Sequence, residues 1–288
     1  MKIGVTGASG FIGKRVTALA VERGHEVIPF SRRPTEKGRL FDLKTPPDVS
    51  DLDAIIHLAG ESIMGLWTSE KKHRIVQSRV EGTRRVVEAL AASPTGPRVL
   101  IGASAVGFYG DTGECLVDET SPVGTGFLAK TCQQWETETL RAEEHGVRVV
   151  RVRIGFVLGR EGAMKLIGPI FRLGLGGNIG SGRQWMSGVH VDDVAGVFLW
   201  AAENSAVTGP VNAVMPEPFR NTEFTRKVAR TVHRPAFLPA PAFAIRLALG
   251  ELSHVVLDGC RVAPCQALEG DYVFRFASLP AALADVLS

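Results

Sequence analysis

The first fifteen residues, "MKIGVTGASGFIGKR", restrict the possible folds more than any other part of the chain. An apolar run of strand length is followed at once by Gly7, Gly10 and Gly13 in GxxGxxG spacing. Ile12, Val16, Leu19 and Ala20 then recur at helical spacing until Gly24 ends the pattern. A strand that turns directly into an amphipathic helix over three glycines is the context of a dinucleotide-binding βαβ unit. Gly7 serves the tight turn, Gly10 lets backbone approach a pyrophosphate, and Gly13 lets the helix pack on the sheet. Ser9, Phe11 and Ile12 complete the stretch expected to hold the cofactor.

The same alternation continues through "HEVIPF", "AIIHLAG", a polar helix over roughly 69–92, "RVLIGAS", a helix near 127–145 and "VRVVRVRIG". Continuous Val/Ile/Leu runs are strands buried on both faces, so the pattern predicts an α/β fold with a Rossmann-type, doubly wound parallel sheet. After Gly155 it loosens into the glycine-rich "RLGLGGNIGSGRQW", and prolines and short helices dominate from Met215. The expected organisation is a dinucleotide-binding domain over 1–155, completed by 189–214. A smaller substrate-side C-terminal region would comprise 156–188 and 215–288.

The end of the second strand selects the cofactor. An acid there would accept the adenosine ribose hydroxyls and repel a 2′-phosphate, but the sequence is Ser31-Arg32-Arg33. Guanidinium forks suit phosphate, so NADP(H) is expected over NAD(H). Asp42 is placed beside the adenine. Leu58, Ala59 and Gly60 end the fourth strand next to the cofactor, where small residues leave room for it.

Composition excludes other classes. A net charge of +3 with interspersed acids gives no basic stripe for nucleic acid. No apolar stretch approaches membrane-span length, and the start has no leader pattern. The cysteines at 115, 132, 260 and 265 form no CxxC pair and have no His cluster beside them, so no metal site is expected. A soluble cytoplasmic protein with reduced thiols is the expectation.

"HLAGESI" (57–63), "SRVEGTR" (78–84), "SAVGFYGDTGE" (104–114), "QQWE" (133–136) and the glycine-rich loop together resemble the extended, epimerase/dehydratase-like branch of the short-chain dehydrogenase/reductase superfamily. Within it they are similar to an atypical subgroup of predicted nucleoside-diphosphate-sugar epimerases with a short additional C-terminal domain. The resemblance implies a Tyr-x-x-x-Lys pair, the Tyr acting as general acid/base and the Lys lowering its pKa. This chain has none: Tyr109 precedes Gly113 and Tyr272 precedes Phe276 at that spacing. Aligned by its Trp-Glu pair, the helix carries Leu128 in the Tyr place and Cys132 in the Lys place. Arg79 stands where an Asn is usual, and other members of the subgroup are similar in carrying Cys and Arg there.

The catalytic candidates are therefore Ser104, Tyr109 and Cys132. Leu128, Cys132 and Trp135 share a helical face, which is either a packing stripe or a thiol presented near the nicotinamide. Ser104 matches an active-site Ser or satisfies a turn; counted back from Tyr109, Ala105 takes the catalytic slot. Glu61, Arg79, Arg183, Gln184 and His190 are the substrate-side candidates, Arg79 as a clamp for a carboxylate or phosphate. Glu119 either meets a substrate hydroxyl or ends a turn, and Asp192 or Asp193 is expected to cap the helix after "VHV". Gly188 departs from the subgroup, whose members tend to carry Trp. Two functions fit: an NADP(H)-dependent oxidoreductase or epimerase-like enzyme on a polar, sugar-nucleotide-like small molecule, or a non-catalytic NADP(H) sensor. Rim helices of such sheets offer a homodimer surface.

Overall fold

The computed structural model describes residues 1–34 and 36–288. Its first half runs β1 (Lys2–Thr6), α1 (Phe11–Glu22), β2 (Glu26–Ser31), β3 (Arg39–Leu40), β4 (Ala54–His57), α2 (Ser69–Ala91), β5 (Val99–Ala105), β6 (Leu116–Val117), α3 (Phe127–Leu140) and β7 (Arg148–Ile154). The second half continues with β8 (Phe156–Leu158), α4 (Ala163–Arg172), β9 (Trp185–Met186), β10 (Gly188–His190), α5 (Val191–Glu203), β11 (Gly209–Ala213), β12 (Phe219–Arg220) and α6 (Asn221–Thr231). It ends with α7 (Ala242–Leu249), α8 (His254–Leu257), β13 (Arg261–Val262), α9 (Cys265–Glu269) and α10 (Leu279–Leu287).

Among the described residues the central sheet has seven strands in the order β11-β7-β5-β4-β1-β2-β3, every neighbouring pair parallel. The order reverses between β1 and β4, and a crevice forms outside the carboxyl ends of the strands at such a switch point. Register fixes what meets there. Thr6 is level with Phe30 on one side and His57 on the other, so Gly7, Ser31 and Leu58 emerge together.

Both sheet faces are buried, as the continuous apolar strands predict. Ile3, Val5, Ile56 and Val150 pack with Val16 of α1 and Val194, Val197 and Phe198 of α5 on one side. Phe30, Ile55, Leu100 and Val149 pack with Val86 and Leu90 of α2 on the other. A third cluster joins Leu158, Phe171, Phe219 and Phe224 to Leu283 of α10. Residues 215–288 are shared between cores, because Ala267 of α9, Tyr272 and Phe274 pack with the first cluster. Among the described residues no helix is long and apolar enough to cross a membrane. None of them forms a group of three or more His, Cys, Asp or Glu able to hold a metal ion.

Gly13 has a different partner from the sheet expected for it. A Cβ there would lie 2.1 Å from the Gly7 carbonyl oxygen and 2.8 Å from Ala8 Cα, so the helix packs on its own glycine turn. Both obstacles are backbone and cannot rotate away. Alanine is the better helix former by about 1 kcal/mol. Gly13→Ala is nonetheless expected to destabilise by about 1–3 kcal/mol, the usual cost of overpacking, read as a lower denaturant midpoint at unchanged slope.

Candidate cofactor and substrate site

The glycine turn lies at the switch point, level with the ends of β2 and β4. Gly7 has φ +70°, and a Cβ on it would sit 3.0 Å from the Ala59 nitrogen. Gly10 caps α1 with no side-chain hydrogen bond, and the first turn carries no acid, so the free N–H groups and dipole favour an anion. Ser9 is exposed at this mouth. The Phe11 ring points away and packs on Gly159 and Gly162, and Ile12 packs on the main core, so both anchor the helix by side chain.

Two residues that the sequence reading missed hold the opposite wall. The Thr6 hydroxyl lies 2.7 Å from His57 Nδ1 and accepts the N–H groups of Leu58 and Ala59 at 3.1 and 3.2 Å. A neutral His57 ring satisfies this buried hydrogen bond. Burial acts in the same direction and lowers the His57 pKa to about 4. The available signal was a polar pair at the ends of two otherwise apolar strands.

At the β2 tip Arg32 and Arg33 are exposed, and neither forms an ion pair among the described residues. Lys71 lowers the Glu61 pKa most, and Arg74 and Arg32 add smaller contributions of the same sign. Asp42 accepts the N–H groups of Lys44 and Thr45 at 2.8 and 3.0 Å. It makes a local turn, and its carboxylate is occupied there.

The reaction side is built from α2 and α3. Arg79 stacks 5.1 Å over Trp135, lies against Gly60, and donates from Nη1 to the carbonyls of Glu61 and Ile75 at 2.9 and 3.2 Å. It forms no ion pair among the described residues, which leaves a half-buried guanidinium with spare donors beside Cys132. Cys132 itself is buried, and burial together with the nearby Glu136 charge raises its thiol to about 11. Of the two readings of the stripe, this favours packing, since a raised pKa keeps the proton on sulfur at neutral pH. Cys132 and Trp135 are buried packing residues of the predicted stripe, and Leu128 is half-buried against Gly107.

Two further catalytic candidates are corrected by one buried network. Ser104 donates to Glu136 Oε1 at 2.7 Å, and Glu136 binds Arg153 through two hydrogen bonds of 2.8 and 2.9 Å. Arg153 Nη1 donates to the Tyr109 oxygen at 2.8 Å, and Tyr109 donates to Asn212 Oδ1 at 2.7 Å. Burial pushes the Tyr109 phenol up to about 12. Neither hydroxyl is free for substrate, and Ala105, the next residue, is only half-buried at the strand end. Glu119 accepts the Asn212 and Gln266 N–H groups at 2.9 and 3.3 Å, so it ties α9 to the sheet.

The substrate-side candidates also divide. Glu61 pairs with Lys71 at 2.7 Å, and Gln184 donates to the carbonyls of Ile179 and Val256, bracing the glycine-rich loop. His190 caps α5, its Nδ1 accepting the Asp192 N–H; its ring lies tilted 3.9 Å from Phe276, and it lines a cleft with Phe11, Arg15 and Asp285. It takes the capping role expected of Asp192 or Asp193. Asp192 instead pairs with Arg15 at 2.7 Å, and Asp193 accepts the N–H groups of Arg275 and Phe276. Arg183 remains exposed. Beside it, Arg220 and Arg261 sandwich Trp185 at 4.3 and 4.5 Å. Gly188 has its own explanation, since a Cβ there would meet the Phe219 ring at 2.7 Å.

Two measurements check this site. Glu136→Gln leaves Arg153 buried without its anion and is expected to cost about 3–5 kcal/mol in urea unfolding. For His57, the folded pKa of about 4 lies below the unfolded value of 6.5. The folded state then binds fewer protons between those values, so stability falls as pH drops through that window. His57→Gln is expected to flatten that part of the stability–pH curve.

The sequence matches the NAD dependent epimerase/dehydratase family over residues 3–213 and DUF1731, a domain of unknown function, over 240–286. It is 36% identical over 298 residues to the epimerase family protein YfhF of Bacillus subtilis, spanning 100% of this chain and 98% of that one. The human epimerase family protein SDR39U1 is 34% identical, with both chains covered in full. The crystal structure of human SDR39U1 (isoform 2) with NADPH superposes with a TM-score of 0.93 at 32% identity, covering 100% and 99% of the two chains. The UDP-glucose 4-epimerase of Thermus thermophilus, complexed with NAD, shares the fold at a TM-score of 0.77 and 18% identity, covering 100% and 98%. With these matches, a doubly wound sheet and a glycine cradle at its switch point, the chain belongs to the NAD-dependent epimerase/dehydratase family and carries a C-terminal DUF1731 region.

Proposed function

We propose that this protein binds NADP(H) in preference to NAD(H) and acts as an oxidoreductase or epimerase-like enzyme on a polar small molecule, a sugar nucleotide being the candidate class. The observation that carries the reading is the pair of exposed, unpaired guanidiniums of Arg32 and Arg33 at the β2 tip. These two stand at the strand end where an adenosine 2′-phosphate would need them, and guanidinium forks match phosphate oxygens. The NADPH in the human relative's structure supports the same preference.

The residues present fit such a cofactor, because side chains at Gly7 and Gly13 would strike the backbone of the turn, and that turn presents the uncapped N-terminus of α1 with no acid in its first turn. When bound, the nicotinamide would supply hydride transfer. Arg32 and Arg33 would hold the 2′-phosphate, and the N-terminus of α1 the pyrophosphate. Arg79, with donors to spare, would hold an anionic or carbonyl oxygen of the substrate. The Cys132 thiol, kept neutral, would act as a weak proton donor or as packing beside that oxygen. Loss of a general acid/base costs roughly 10²–10⁴ in rate, which leaves slow turnover within reach.

The second reading is a non-catalytic NADP(H) sensor. It is favoured by the engagement of both the Ser104 and Tyr109 hydroxyls in the buried network. A panel of carbonyl and sugar-nucleotide substrates followed at 340 nm separates the two: cofactor oxidation or reduction supports the enzyme, and none across the panel supports the sensor. For the cofactor, calorimetry is expected to give tighter binding of NADPH than of NADH. Arg32→Ala should lower NADPH affinity by about 10- to 100-fold, the loss of one charge-assisted contact, with little effect on NADH. Equal affinity for both cofactors would overturn the 2′-phosphate assignment.

A further inference from the structure

Away from the crevice, an open groove of about 830 Å³ runs along α6, within the range of about 300–1,000 Å³ typical of small-ligand sites. Its charged lining is of one sign. Arg226, Arg230, His233 and Arg234 face it, Asn178 and Thr222 add neutral polar groups, and no carboxylate lines it. No sequence motif marks it, because these basic residues are spread over nine positions and interrupted by apolar ones.

Three features go beyond a solvated helix face. Arg226 and Arg230 lie one turn apart, where like charges destabilise a helix by about 0.2–0.5 kcal/mol, and neither forms an ion pair among the described residues. Glu223, one turn from Arg226, does not neutralise it. Second, His233 follows the helix with φ 53°, a left-handed position usually filled by Gly or Asn. That turn sets its imidazole at the groove wall. Third, Arg234 Nε is fixed by a 3.2 Å hydrogen bond to the Arg172 carbonyl, so its terminal nitrogens stay free to donate.

We propose that this groove binds a phosphorylated small molecule carrying at least two anionic groups. Three guanidiniums and an imidazole offer more donors and charge than a single phosphate uses, and guanidinium forks match phosphate oxygens in pairs. Asn178 belongs to the glycine-rich loop braced by Gln184, so an occupant would touch the segment that leads to Arg183. The groove is separate from the crevice at the switch point, and the inference does not depend on the cofactor reading.

The test is calorimetry with inorganic pyrophosphate at 150 mM chloride. The host is an Arg32→Ala/Arg33→Ala variant, which removes phosphate binding at the β2 tip. Saturable binding is expected, weaker for orthophosphate. Adding Arg226→Ala/Arg230→Ala should lower pyrophosphate affinity at least tenfold, while the same pair in the otherwise wild-type chain leaves NADPH affinity unchanged. These residues are exposed, and an unmoved thermal midpoint would certify the fold. Absence of pyrophosphate binding at this salt would overturn the proposal, as would binding that the double substitution does not weaken. Tighter binding of a single-stranded oligonucleotide, lost with the same substitutions, would overturn it in favour of a nucleic-acid surface.

Discussion

The contact between Glu136 and Arg153 is the interaction on which the rest of the carboxyl edge depends. Both side chains are 4% exposed, joined by two hydrogen bonds. Two charges taken out of water offset their desolvation only where the remaining donors and acceptors are also met. Here they are. Ser104 and Arg151 complete the carboxylate, while the Tyr109 oxygen and the Phe108 face complete the guanidinium. The pair thereby ties β5, β7 and α3 together and, through Tyr109 and Asn212, brings in β11. Because α3 is clamped at Glu136, Cys132 and Trp135 in the turn before it are held against Arg79 of α2.

The same network takes up hydroxyls in a chain that has no Tyr-x-x-x-Lys pair. Hydroxyls of the kind that a conventional member would use for proton transfer serve here as structure: the phenol of Tyr109 and the hydroxyl of Ser104 are both internal donors. What remains near the cofactor cradle is a cation, Arg79, and an uncharged thiol, Cys132. A cation of this kind binds and orients oxygen atoms well and transfers protons poorly, since guanidinium holds its protons across the physiological range. On the proposed reading, substrate orientation carries more of the chemistry than acid/base catalysis does.

The fold was legible in the sequence because its signals were local. Glycine spacing, helical periodicity and continuous apolar strands each depend on neighbours within a few residues, and the cradle at Gly7, Gly10 and Gly13 follows from them. What was not legible depends on contacts between distant segments. Ser104 meets Glu136 and Tyr109 meets Asn212, at separations of 32 and 103 residues, so neither hydroxyl betrays its partner locally. Two signals do stand in the sequence: polar Thr6 and His57 end two apolar strands, and β7 carries arginines. Arg148, Arg151 and Arg153 in a strand buried on both faces require internal acceptors, and a Glu in the adjoining helix supplies one. Gly188 read as a lost side chain because Phe219, whose ring occupies that space, lies far along the chain.

On the proposed reading, the exposed arginines at the β2 tip hold a 2′-phosphate. Phosphorus NMR of bound NADP⁺, followed as a function of pH, observes that group directly. A phosphate dianion held by guanidinium is favoured over its monoanion, so its pKa, about 6 when free, is predicted to fall on binding. The shift is predicted to be lost in Arg32→Ala/Arg33→Ala. A 2′-phosphate that titrates in the complex as it does in free solution would contradict the claim, since the arginines would then not be touching it.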